Sequence, residues 1–175
     1  QTINGKDIPI HLKKELTSQL PFLKKQNIKF SEYATKSIDQ LFNEETLSEA
    51  DIKEVNQFAS LVAYNEGDGK FNVQELPGRV QLSCICSIET YDFNNDGIKD
   101  LILGGNNYNL KPQFSRQDAS RGNILVSRDK KEYKNSENSG FIVDGEVKGL
   151  GWVKNSSGKQ FLITAINDEA PKVFK

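Results

Sequence analysis

Methionine is absent from this 175-residue chain, histidine occurs once, cysteine twice and tryptophan once, and neither sign of charge is in excess: 23 Lys and Arg face 24 Asp and Glu. Each shortage removes a class of function. One histidine cannot form a His-Glu-x-x-His zinc pair, the one present, His11, lies in a helical N-terminal segment, and neither a Gly-x-Ser-x-Gly elbow nor a P-loop occurs. Cys84 and Cys86 form a lone Cys-x-Cys with no second pair to complete a zinc site. On a straight strand both face the same way, with Cα atoms about 6.5–7 Å apart, at or beyond the reach of a disulfide. They are expected to be small strand residues. Interspersed charge leaves no nucleic-acid footprint, and no apolar run approaches the roughly 18 residues of a membrane span. The start, residues 1–6, has no signal-peptide pattern. With no methionine anywhere, a mature product or a piece of a longer protein is expected. Apolar residues are 36% of the chain, but 10 Phe and 5 Tyr can fill a thin β-rich core, and the length suits one domain.

What is present is concentrated in residues 91–105. Asp92, Asn94, Asp96 and Asp100 occupy positions 1, 3, 5 and 9 of a loop whose sixth residue is Gly97. A hard cation such as calcium takes six to eight oxygens, so a loop that holds one must curl round a point while alternate side chains aim inward. The glycine permits the bend, and the carbonyl of Ile98, at position 7, completes the expected ligand set. An EF-hand needs a bidentate Glu at position 12 and a helix on each side. Position 12 here is Leu103, and residues 80–88 and 101–103 alternate like strands. The reading is a strand-to-strand calcium loop; an Asx-rich turn without metal is the alternative.

The run from Asp92 to Ile102 resembles the cation motif of FG-GAP/VCBS repeat proteins, which have an integrin-α-like β-propeller fold. Residues 65–71 before it and 104–108 after it add to the likeness. Leu76-Pro77, residues 118–122 and 139–141 and the closing Ala165-Ile166-Asn167-Asp168 are similar to the C-terminal part of bacterial propellers related to cartilage acidic protein, the ASPIC/UnbV group. The Phe-Gly-Gly-Ala-Pro signature of the repeat is missing; Leu103-Gly104-Gly105-Asn106 stands in its place. The resemblance implies a mainly β fold with an N-terminal helical insertion: a lead-in and helices over 1–54, then two to three antiparallel propeller blades over 55–175, packed with the helices as one unit. Two or three blades do not close a ring, so the remaining blades are expected in cis or in trans.

Along the rest of the chain, Leu12, Leu16 and Leu20 mark a first helix interrupted by Pro21. A second is expected from Ser31 to Phe42, and a third from Ser48, where Leu47 and Ile52 would form a hydrophobic staple. Residues 56–64 and 70–75 read as a hairpin round Gly67-Asp68-Gly69, a turn without metal. Residues 106–121, with Tyr108, Lys111, Pro112, Phe114, Arg116, Asp118 and Arg121, form a long polar loop: a recognition surface or a solvated connection. Residues 123–127 and 131–134 form another hairpin, joined by 128–130. Phe71 and Tyr133 lie about 60 residues apart, a spacing in keeping with blade repetition. Residues 141–153 and 160–166 supply further strands, and 171–175 a closing one. Asp144 and Glu146 are too few for a second metal, and the sequon Asn155-Ser156-Ser157 reads as a turn.

These features point to a non-catalytic, calcium-binding propeller segment of a secreted, periplasmic or cell-surface bacterial protein, acting in protein or glycan binding. The alternatives are a non-catalytic part of an enzyme whose active site lies in other blades, and a purely structural repeat.

Overall fold

Apolar runs of four to seven residues punctuated by Gly, Asn and Asp give many short elements. The computed structural model describes residues 1–128, 132–137 and 139–175, in two compact units, Gln1–Asn56 and Gln57–Lys175. The described residues are mainly β: several small antiparallel sheets, none of them closed on itself.

The first unit opens with a tiny ribbon, β1 (Thr2–Ile3) and β2 (Lys6–Asp7), followed by five short helices. These are α1 (Lys13–Gln19), α2 (Phe22–Gln26), α3 (Phe30–Ala34), α4 (Ile38–Leu41) and α5 (Glu44–Ser48). Pro21 ends α1 as expected, because the residue before a proline is pushed out of the helical region; Leu20 sits at φ −124° and ψ 79°. Leu23, Tyr33 and Leu41 are buried together. The single helix expected over residues 31–42 is two. Ser37 is extended, and its N–H donates to Gln40 Oε1 (3.1 Å), so it starts α4 and breaks the run. The helix expected to start at Ser48 instead ends there. Asn43 is the cap, its Oδ1 accepting from the Thr46 N–H at 2.9 Å.

The second unit begins with the hairpin β3 (Leu61–Gly67) and β4 (Lys70–Glu75), turning at Asp68 as expected. Residues 56–60, expected to start its first strand, lie outside it. Residues 80–82 were also expected in a strand but belong to a 3-10 turn, Gly78–Leu82. After it come β5 (Ile85–Tyr91), β6 (Asp100–Gly105), β7 (Asn123–Arg128) and β8 (Glu132–Asn135), an antiparallel meander in sequence order. Asp129, Lys130 and Lys131, assigned from sequence to the β7–β8 turn and the start of β8, lie outside the described residues. A three-stranded sheet follows: β9 (Val147–Lys154), β10 (Gln160–Ile166) and β11 (Lys172–Phe174). Residues 141–146 precede β9 as irregular chain and do not extend it.

Strand alternation makes β6 the keel of this unit. Ile102 and, from β7, Ile124 face one way, into a cluster with Phe141, Val143, Val147, Leu162 and Ile166. Leu103 and Leu125 face the other way, into a cluster with Leu76 and Val80, against which Val62 and Tyr133 pack. The meander is therefore covered on one face by β9–β11 and on the other by β3–β4 and the 3-10 turn. Each fully buried leucine or isoleucine contributes about 1.5–3 kcal/mol. Gly104 and Gly105 let the layers close: a Cβ on Gly104 would run into the Val147 side chain, and one on Gly105 into the Cys84 carbonyl.

Candidate functional site

The expected cation loop lies between β5 and β6, and the backbone of the loop is wound on its own acidic side chains. Asp92 is half-buried and accepts through both oxygens, from the N–H groups of Asp96 (3.1 Å) and Gly97 (2.9 Å). Asn94 Oδ1 also accepts from the Asp96 N–H (3.2 Å), and Asn94 Nδ2 donates to Asp96 Oδ2 (2.7 Å). Asp96 Oδ1 takes the Ile98 N–H at 2.7 Å. The bend uses the left-handed region at Asn95 (φ 57°) and Gly97 (φ 81°), as such a tight reversal requires.

Asp100 has a different setting. It opens β6, is wholly buried, and accepts from the Phe93 N–H (2.9 Å) and the Ser127 N–H (2.8 Å). It therefore clamps the start of the loop to β7. The expected ligands thus divide into an exposed tip (Asn94, Asp96), a half-buried base (Asp92, Ile98) and a buried anchor (Asp100). Their donors are all oxygens, which fits a hard cation. Among the described residues, no three His, Cys, Asp or Glu side chains stand already converged as a metal cage. Binding would draw the Asp96 carboxylate and the Asn94 amide oxygen inward onto the anchored base.

Beside the loop, an aromatic cleft of about 380 Å³ is lined by Tyr91, Phe93, Phe141, Trp152 and Phe174, with Ser139 and Gln160 among its polar groups. The Tyr91 ring lies 4.8 Å from that of Trp152 and 5.2 Å from that of Phe93, and Phe141 meets Phe174 edge-on at 4.9 Å. Trp152 Nε1 is buried without a partner among the described residues. Sequence reading missed this cleft, since its walls come from β5, the loop, the segment before β9, β9 itself, β10 and β11. Phe93, inside the cation motif, was the one signal available.

The long polar loop over residues 106–121 is more ordered than its composition suggests. Asn107 and Gln117 pair by two backbone hydrogen bonds (2.9 and 3.0 Å). The Arg116 guanidinium lies 3.5 Å from the Tyr108 ring centre and pairs with Asp118 at 3.5 Å. Asn106, buried at φ 80°, is the hub: its Nδ2 donates to the Ser120 and Gly145 carbonyls (2.8 Å each), and its Oδ1 accepts from Ser83 Oγ and the Ser120 N–H (2.9 Å each). Arg121 pairs with Asp144 at 2.7 Å, and the hydrogen bond holds that carboxyl below its ordinary range. Glu146, fully buried, accepts from Lys148 Nζ (2.7 Å) and the Tyr108 N–H (3.1 Å) through Oε1. The Lys148 contact is the main cause of its lowered pKa. Asp144 is thus held by Arg121 and Glu146 Oε1 by Lys148 and Tyr108, while Glu146 Oε2 is buried without a partner among the described residues. Asn155 Oδ1 accepts from the Ser157 and Lys159 N–H groups (3.1 and 2.9 Å), so the sequon is a built turn.

Comparison with protein-family models, with curated proteins and with solved structures finds no match to this chain. Among the described residues, no helix is long and apolar enough to cross a membrane.

Proposed function

We propose that the chain is a calcium-binding β module that serves as a non-catalytic, glycan-binding part of a secreted or cell-surface bacterial protein of the FG-GAP/VCBS design. Asp92, Asn94, Asp96, the Ile98 carbonyl and Asp100 would hold the ion. The bound ion would supply rigidity to the loop. One observation carries the reading: Phe93 belongs to the cleft wall and to the cation loop at once, and its N–H is held by the buried anchor Asp100. A cation that draws in the loop tip would therefore fix an aromatic wall of the cleft. Aromatic faces with a few polar groups suit the apolar faces and hydroxyls of a sugar ring. The four-stranded meander β5–β8 has the form of a propeller blade, which supports the family resemblance.

Calorimetric titration should give a calcium Kd of about 10⁻⁴–10⁻³ M, the range of extracellular modules. Asp96→Asn should abolish that binding. Trp152 is the only tryptophan, so its emission reports the cleft directly. Soluble oligosaccharides should quench or shift that emission in calcium and lose the effect in chelator or on Phe93→Ala. Calcium binding with no response to any oligosaccharide would leave a structural module. Absence of calcium binding would overturn the proposal.

A structural role in a larger ring is favoured by one feature of its own. Ile142 (54% exposed), in the segment before β9, and Val173 (59% exposed), on β11, are uncovered, and further blades would bury them. In that case the parent protein, and not calcium, should protect these residues from solvent.

A further inference from the structure

The two cysteines do not occupy the geometry of a straight strand. Cys84 lies just before β5, and the register of β5 against β6 slips between Ile85, opposite Gly105, and Ser87, opposite Gly104. Cys86 is the extra residue of this bulge, which bends the strand. The bend brings Cys84 Sγ and Cys86 Sγ to 3.5 Å. Cys86 is exposed and Cys84 half-buried. Gly105 holds the bulge in place, since only a residue without Cβ lets the Cys84 carbonyl approach so closely. That carbonyl accepts from the Asn106 N–H (3.3 Å), and the Asn106 carbonyl lies 3.2 Å from Cys86 Sγ. Both cysteines are thus tied to the buried Asn106 hub.

We propose that Cys84 and Cys86 form an exchangeable dithiol that closes to an intramolecular disulfide by reaction with small-molecule disulfides. The thiolate of exposed Cys86 attacks one sulfur of the small disulfide, forming a mixed disulfide and expelling one thiolate. Cys84 Sγ, already in van der Waals contact, then attacks the Cys86 sulfur, forming the Cys84–Cys86 bond and expelling the second thiolate. The chain loses two electrons and two protons, and one small disulfide becomes two thiols. A ring spanning only three residues is strained, so the bond belongs with labile, exchangeable disulfides and not with structural ones. Burial and the neighbouring Cys84 push the Cys86 thiol up to about 11, so attack should be slow at neutral pH. It should quicken by about tenfold per pH unit as the thiolate fraction grows.

The test is intact-mass analysis of the folded full-length chain after incubation with glutathione disulfide and acid quenching. Wild type should become lighter by two hydrogens and carry no glutathionyl group, because the second attack is intramolecular. Cys84→Ser should trap one glutathionyl group on Cys86, and dithiothreitol should reverse both products. Cys86→Ser should show no ring closure. Trp152 emission confirms that each variant is folded. A wild-type chain that accumulates glutathionyl adducts, forms only chain-to-chain disulfides or keeps both thiols would overturn the proposal, as would a rate independent of pH.

Discussion

Asp100 shows how one carboxylate can be both a motif residue and a piece of scaffold. Its two oxygens satisfy the N–H groups of Phe93 and Ser127 in a site closed to solvent. Asp100→Asn would turn an amide NH₂ toward one of those donors. Leaving a buried N–H unpaired should cost about 1–3 kcal/mol, measurable as a urea midpoint shift even in chelator. Asp96→Asn keeps an acceptor for the Ile98 N–H at the exposed tip, so in chelator it should cost under about 0.5 kcal/mol. A larger loss there would mean that the tip is structural and not a cation ligand. The turn wound by Asp92, Asn94 and Asp96 was legible in the sequence, because Asp and Asn side chains accept from backbone N–H groups a few residues on. The clamp to Ser127 was not, because no local pattern says which distant N–H meets Asp100. Glu146 makes the same point, since its partners include the N–H of Tyr108, far off in the chain. Its pKa is lower folded than unfolded, so its stabilisation is present above the ordinary glutamate value and lost as pH falls through the folded value. The stability gap between wild type and Glu146→Gln should be largest at neutral pH and shrink once pH falls below the ordinary glutamate value. A gap unchanged by pH would mean that the Glu146 charge contributes nothing.

At the scale of elements, strands were read more reliably than helices. Strands such as β6, β7 and β10 carry apolar runs bounded by turn residues, and both periodicity and burial agree with them. The helices of the first unit are only four to seven residues long, too short for a 3.6-residue period to show where one stops and another begins. Their limits are set by single caps: Asn43 took the role expected of Ser48, and Ser37 split a predicted helix. The bulge at Cys86 was illegible for another reason, as it depends on which β6 residue each β5 residue faces. Sheet packing gives a prediction at this scale. Gly104→Ala drives a methyl into Val147, and overpacking of that kind should cost about 1–3 kcal/mol. Val147→Ala removes the methyl that obstructs most, though not the Cβ behind it, and takes away part of the core. In the double variant the two costs should fall short of additivity by at least about 0.5 kcal/mol, the signature of residues in contact. Strict additivity in urea melts would mean that β9 does not press on β6 as described.

The whole molecule divides where the chain is barest. Residues 51–58 have no helix or strand and are exposed throughout, and the two compact units meet in sequence at Asn56 and Gln57. Exposed segments without backbone pairing are where proteases cut first. Trypsin should therefore cleave early after Lys53, whose side chain is 84% exposed. The division also allows the second unit to be followed alone, because the single tryptophan, Trp152, lies in it. The clusters around β6 are built wholly from residues beyond Gln57, whereas Leu23, Tyr33 and Leu41 make a separate cluster in the first unit. After cleavage, the larger fragment should keep its native Trp152 emission and its urea midpoint, with no more than a small shift. Loss of the native emission at the same rate as cleavage would show that the second unit draws its stability from the first, and would return the chain to the one-unit organisation expected from its length.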